Sequence, residues 1–142
     1  MNKMLILLIL FVIIVSGCLS NPFKQVPVVK VNITYVETGG KVAVENLTVT
    51  QGTVDYAARP QVTQARSFPA IGARIVTSKG KNSSIGPWEM VLYKGNGTYS
   101  FNVGFKEGAE ISNNDNVSVY IYLLDKKGDR LSLVTRDIVW KS

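Results

Sequence analysis

Period-two alternation is the constraint that most narrows what this chain can become. In "VKVNITY" Val29, Val31, Ile33 and Tyr35 fall on one phase, and Lys30, Asn32 and Thr34 on the other. "TYSFNVGF" repeats the pattern, with Tyr99, Phe101, Val103 and Phe105 set against Ser100, Asn102 and Gly104. In "VSVYIYLL" Val117, Val119, Ile121 and Leu123 share a phase, leaving Ser118, Tyr120 and Tyr122 on the other. Successive side chains of an extended strand point to opposite faces, so each segment predicts a strand with one buried side. No amphipathic helix and no internal repeat is visible.

The punctuation between these segments fits the same reading. Gly39-Gly40 turns the chain into "KVAV", whose apolar phase slips between Val44 and Leu47; this predicts a bulge or break near Asn46. "LTVTQGTV" then resumes the extended pattern. Pro60 and Pro69 exclude a long helix and a central strand from residues 57–74, which reads as a loop with a short edge strand, followed by "ARIVTS". "KGKNSSIGP" is a loop by composition. "WEMVLYKGNGTYSFNVGF" reads as a hairpin turning on Gly95-Asn96-Gly97, and "DKKGD" turns the chain into "RLSLVTRDIVW". About seven short strands in series predict an all-β sandwich or barrel.

Two stretches, "GNGTYSFNV" and "NVSVYIYLLDKKGD", resemble the closing strands of immunoglobulin-like and fibronectin-type-III-like extracellular domains. The resemblance implies an immunoglobulin-like β-sandwich over residues 28–142. Antibody-type domains also carry a cysteine pair, whereas Cys18 is the sole cysteine here.

That cysteine ends a leader. Lys3 precedes the unbroken apolar run Met4 to Val15, and the small residues Ser16 and Gly17 follow it. A basic start, a short apolar core and small residues make the layout of a secretory signal peptide. The run is shorter than the roughly 20 residues a spanning helix needs. Val15-Ser16-Gly17-Cys18 resembles the lipobox of prokaryotic lipoproteins. The resemblance implies removal of residues 1–17, a lipid on Cys18, a tether over 18–27 and residence on the extracytoplasmic face of the cell membrane. The rival is an uncleaved anchor with Cys18 a bystander thiol. Lipidation also accounts for an odd cysteine in an exported chain, which is otherwise a reactive liability.

Cleavage would leave 125 residues, enough for a single core without disulfides. The net charge is +6, one of it from Lys3, and the basic residues form no block longer than Lys126-Lys127. A nucleic-acid reader would gather its cations on one face, so no nucleic-acid partner is expected. The chain has no histidine, which removes the commonest general base and the commonest transition-metal ligand. The ten acids are scattered without a pattern that picks out a catalytic pair. A protein without catalytic activity and without a cofactor is the expectation.

Five of the ten asparagines lie in N-x-S/T sequons: Asn32, Asn46, Asn82, Asn96 and Asn116. Chance would leave roughly one or two, so the excess makes them candidate glycosylation sites. Asparagine and threonine are also common at strand edges and turns, which is the plainer account. Tyr120 and Tyr122 share an outward phase and form a candidate ligand-binding stripe, as in carbohydrate-binding modules that stack sugar rings. More often such rings cover a neighbouring strand. "SNNDN" and "DKKGD" offer oxygen ligands for calcium, but Lys126 and Lys127 oppose a cation in the second.

Taken together these features predict a lipid-anchored binding or scaffolding domain. Its partner would be the membrane through the anchor, and beyond it an envelope protein or a surface polysaccharide. The alternatives are a carbohydrate-binding module using its tyrosines, and an accessory subunit of a membrane complex with an apolar patch near the anchor.

Overall fold

The computed structural model describes residues 24–55, 68–78, 84–85, 91–105 and 110–142. The leader, Cys18 and the sequon at Asn82 lie outside these residues. Every regular element among them is a strand: β1 (Gln25–Thr38), β2 (Lys41–Asp55), β3 (Ala70–Thr77), β4 (Ser84–Ile85), β5 (Val91–Leu92), β6 (Gly97–Gly104), β7 (Asn116–Leu124) and β8 (Arg130–Val139). No helix among the described residues is long and apolar enough to cross a membrane.

All pairings are antiparallel, and they make two sheets. The first has the order β2-β1-β6; the second has β4-β3-β7-β8, with β5 also on β3. The alternating segments supply the core as their phase demands. Val29, Val31, Ile33 and Tyr35 of β1 meet Ile71, Ala73 and Ile75 of β3 and Val117, Val119, Ile121 and Leu123 of β7 in one buried cluster. Phe101 and Val103 of β6 join it from the first sheet, and Trp140 closes one end against Phe105 at 5.5 Å between ring centroids.

Gly39 and Gly40 both hold positive φ, +59° and +76°, in the two-residue turn between Thr38 and Lys41. Such turns need φ > 0 at both central positions, which glycine adopts without strain. The phase slip near Asn46 is a bulge: Thr34 pairs with Asn46 but Tyr35 with Val44, leaving Glu45 as the extra residue. The strand continues through it, so "KVAV" and "LTVTQGTV" form one element of 15 residues.

Several expectations need correction. β1 begins at Gln25, three residues before Val28, because Gln25–Pro27 pair with Thr53–Asp55. β3 is an interior strand, with β7 on one side and β4 and β5 on the other. Pro69 is compatible with this because it precedes the strand's first residue. Within the "KGKNSSIGP" loop, Ser84–Ile85 pairs with Arg74 and Ile75. Gly104 is on the outward phase as expected, yet it is buried beside Val28.

The largest correction concerns the segment about Gly95-Asn96-Gly97, which is no hairpin. Val91 and Leu92 pair with β3 in the second sheet, whereas Gly97–Gly104 pair with β1 in the first. The turn, with φ of +97° at Gly95 and +144° at Gly97, carries the chain over the end of the core from one sheet to the other. Alternation reports which side of a strand is buried and says nothing about which strand lies beside it.

Candidate functional site

The two ends of the domain differ. At the end where β1 starts, Gln51 accepts the amide of Lys141 through Oε1 at 2.7 Å and donates Nε2 to the Lys141 carbonyl. This ties β2 in the first sheet to the second residue after β8 in the second. At the far end lie the turn at Gly39-Gly40, the β7–β8 turn and a cluster of three tyrosines.

Tyr35, Tyr93 and Tyr99 have ring centroids 5.5, 6.1 and 5.7 Å apart. Tyr99 accepts the Lys94 amide at 2.8 Å and donates to the Gly95 carbonyl at 2.7 Å, which fixes the crossing turn. Tyr93 donates to Glu37 Oε1 at 2.7 Å, and burial together with that carboxylate pushes its phenol up. Tyr35 is fully buried, and its hydroxyl meets no hydrogen-bond partner among the described residues. Burial, with Tyr99 adding to it, pushes the Tyr35 phenol up to about 12. The arrangement plugs the end of the core.

Three of the sequons gather at the first sheet. The register sets Thr48, Asn32 and Ser100 in one outward row and Asn46, Thr34 and Thr98 in the next. Ser100 donates to Asn32 Oδ1, and Thr34 and Thr98 hydroxyls bond at 2.8 Å. Asn96 sits above these rows and accepts the Glu37 amide at 2.6 Å through Oδ1. Asn32, Asn46 and Asn96 are all exposed, as is Asn116 at the start of β7 on the other sheet.

Tyr120 and Tyr122 lie on the outward face of the second sheet, both half-buried. The Arg74 guanidinium stands 5.7 Å from the centre of the Tyr120 ring. Tyr122 covers Gly72: a Cβ built on Gly72 would lie 2.2 Å from its Cε2. Both rings therefore pack on their neighbours in β3.

Beside them is a feature that the tyrosine phase alone did not announce. The registers align Leu92, Ala70 and Leu124 across β5, β3 and β7, and Gly72, Tyr122 and Leu133 across β3, β7 and β8. β8 bulges here: Leu123 pairs with Ser132 and Leu124 with Arg130, so Leu131 is the extra residue. Leu131 is 53% exposed, Leu133 48%, Leu92 44% and Phe68 37%. Phe68 sits over the β7–β8 turn, its ring 3.7 Å from a Cβ built on Gly128. "RLSLV" held a signal for this, since its apolar residues occupy both phases of one strand. Val134 and Ile138 take the core side, which leaves Leu131 and Leu133 outside.

The two polar loops use their oxygens locally. Asp125 Oδ1 accepts the amides of Lys127 and Asp129 at 2.8 and 2.9 Å, and Asp115 Oδ2 accepts that of Ser112 at 2.8 Å. No group of three or more His, Cys, Asp or Glu comes together among the described residues.

Comparison of the chain with protein-family models, with curated proteins and with solved structures returned no match.

Proposed function

We propose that this protein is a lipid-anchored extracytoplasmic domain that binds or scaffolds a partner and performs no chemistry of its own. The observation that carries the reading is the outer face of the second sheet. There Leu131 and Leu133 stay about half exposed, at 53% and 48%, on a strand whose other phase already serves the core. Exposed apolar surface bordered by polar residues marks an interaction site more often than an accident of packing. The anchoring half of the reading rests on the leader and the lipobox-like Val15-Ser16-Gly17-Cys18.

An immunoglobulin-like sandwich is a reading that one of the two sheets supports. The β3-β7-β8 order matches the C-F-G sheet of that fold. In the other sheet the immunoglobulin order is A-B-E, with the second strand central, whereas here β1 lies between β2 and β6. The carbohydrate-binding alternative has less support, because Tyr120 and Tyr122 pack against Arg74 and Gly72 and form no open coplanar platform. The sequons on the first sheet support a glycosylated outer surface there.

Intact-mass measurement of protein extracted from membranes tests the anchor. The expected mass lacks residues 1–17 and carries a lipid on Cys18, and Cys18→Ser should release or mis-process the chain. A mature protein starting at Met1 overturns it.

A further inference from the structure

We propose that the far end of the second sheet's outer face is the docking site for another protein, through a segment that sets apolar side chains beside carboxylates. The proposal rests on the binding reading above and names the partner's chemistry.

The apolar part spans the sheet. Leu92, Leu124 and Leu131 lie across β5, β7 and β8, with Tyr122, Leu133 and Phe68 adjoining. Among the described residues the charges around it are mainly positive. Arg74 is on the face itself, Arg130 pairs with Leu124, and Lys126 and Lys127 are exposed in the turn beside Phe68. The same turn carries two acids, Asp125, whose Oδ1 accepts two backbone amides, and the exposed Asp129, so the four cations named outnumber these two acids. A carboxylate-bearing partner therefore gains at the rim while its apolar side chains fill the centre.

Other occupants fit less well. A second copy placed leucine to leucine would bring the same cations against one another, at a repulsive cost. A bilayer laid flat on this face would also have to cover Ser118, Asp137 and Asn116, since they share the outward phase of β7 and β8. Asp137 accepts a hydrogen bond from Ser118 at 2.7 Å and so holds charge and polarity at that end. β1 also enters the domain at the opposite end of the strands from the patch. Val28 near the start of β1 pairs with Gly104, whose neighbour Phe105 packs on Trp140, and the nine residues of β7 place the patch roughly 25–30 Å along the strands from that end. Strand addition along β8 is opposed as well. Arg136 pairs with the buried Val119, on the core phase of this edge strand, yet stays exposed. An inward-phase charge of this kind guards an edge against pairing. The partner meets the face.

The test uses the full-length protein in its own membranes. A photo-cross-linking amino acid replaces Leu133, or, as a control on the opposite face, Thr48. The expected result is a hetero-adduct from position 133 that is absent from position 48, with a cross-linked partner peptide containing Asp or Glu next to apolar residues. Lys126→Glu with Arg130→Glu should lower its yield about tenfold, and Leu92→Lys, on the far side of the patch, should abolish it. An adduct of twice the chain mass, lipid adducts alone, equal yields at both positions, no adduct, or a yield indifferent to the charge reversals each overturn the proposal. Fractionation separates the two readings. A lipidated, membrane-bound chain without the hetero-adduct defeats docking and leaves anchoring intact; a water-soluble chain that still forms it does the reverse.

Discussion

The ring of Tyr122 lies across the backbone of Gly72 on the adjacent strand, so close that a Cβ there would stand 2.2 Å from its Cε2. The relationship decides what the outer face presents. With no side chain on β3 at that row, the ring lies down on the sheet instead of standing out from it, and Leu133 beside it is left uncovered. A glycine inside a strand forgoes packing of its own, and a cross-strand aromatic makes up for that.

Gly72→Ala should therefore displace the ring. The Gly72 α-protons of the parent protein should resonate upfield under the Tyr122 ring current, and Tyr122→Leu should abolish that shift. In Gly72→Ala the ring should move to another rotamer at a cost of about 1 kcal/mol, because its far end can swing into solvent. An unmoved ring would refute the assigned contact.

The register of β6 predicts a sharp contrast between neighbours. Phe101 is buried in the core, so Phe101→Ala should destabilise the domain by about 3–5 kcal/mol in denaturant unfolding. Asn102 points to the outer face, and Asn102→Ala should change stability by no more than roughly 0.5 kcal/mol. Equal losses would mean that the strand is assigned to the wrong phase.

Tyr35 holds a desolvated hydroxyl without a partner among the described residues. Tyr35→Phe should be neutral or stabilising by about 1 kcal/mol, whereas Tyr99→Phe, which loses both bonds to the crossing turn, should destabilise. The same burial has a pH signature. An unfolded Tyr35 ionises near 10.0 and the folded one near about 12, so the folded chain holds the extra proton between those values. Its contribution is present in full below the unfolded value and is lost as pH rises through the folded one. Unfolding midpoints followed from pH 9 to about 12 should fall over that window, and Tyr35→Phe should fall less steeply.

Gln51 should act as a latch between the sheets. Gln51→Ala removes both of its bonds to the Lys141 backbone and should cost about 1 kcal/mol. Amide exchange at Lys141 should quicken in this variant while that of β7 stays slow. Unchanged exchange at Lys141 would show that the latch is idle in solution.

Much of this was legible in the order of residues, and the exceptions share a cause. The buried phases of β1, β6 and β7, the glycine turn at 39–40 and the slip that became the Glu45 bulge all follow from side-chain periodicity and local backbone preference. A strand's phase is written in its own residues, because burying one face requires alternation wherever the strand lies. The lack of histidine and the position of Cys18 likewise needed no coordinates.

Partnership was not legible. "WEMVLYKGNGTYSFNVGF" would alternate in the same way as a hairpin or as a bridge between sheets. Only the pairing of Val91 with Ile71 and of Gly97 with Tyr35 shows that the chain changes sheets there. The candidate surface depends on the same kind of information. Leu92, Leu124, Leu131 and Leu133 are scattered along the chain, and they become neighbours only through cross-strand register. Periodicity thus determined which side chains of each strand are buried. The tertiary structure decided which strands adjoin, and so which of the remaining side chains share a face, because that choice is made by contacts between segments far apart in sequence.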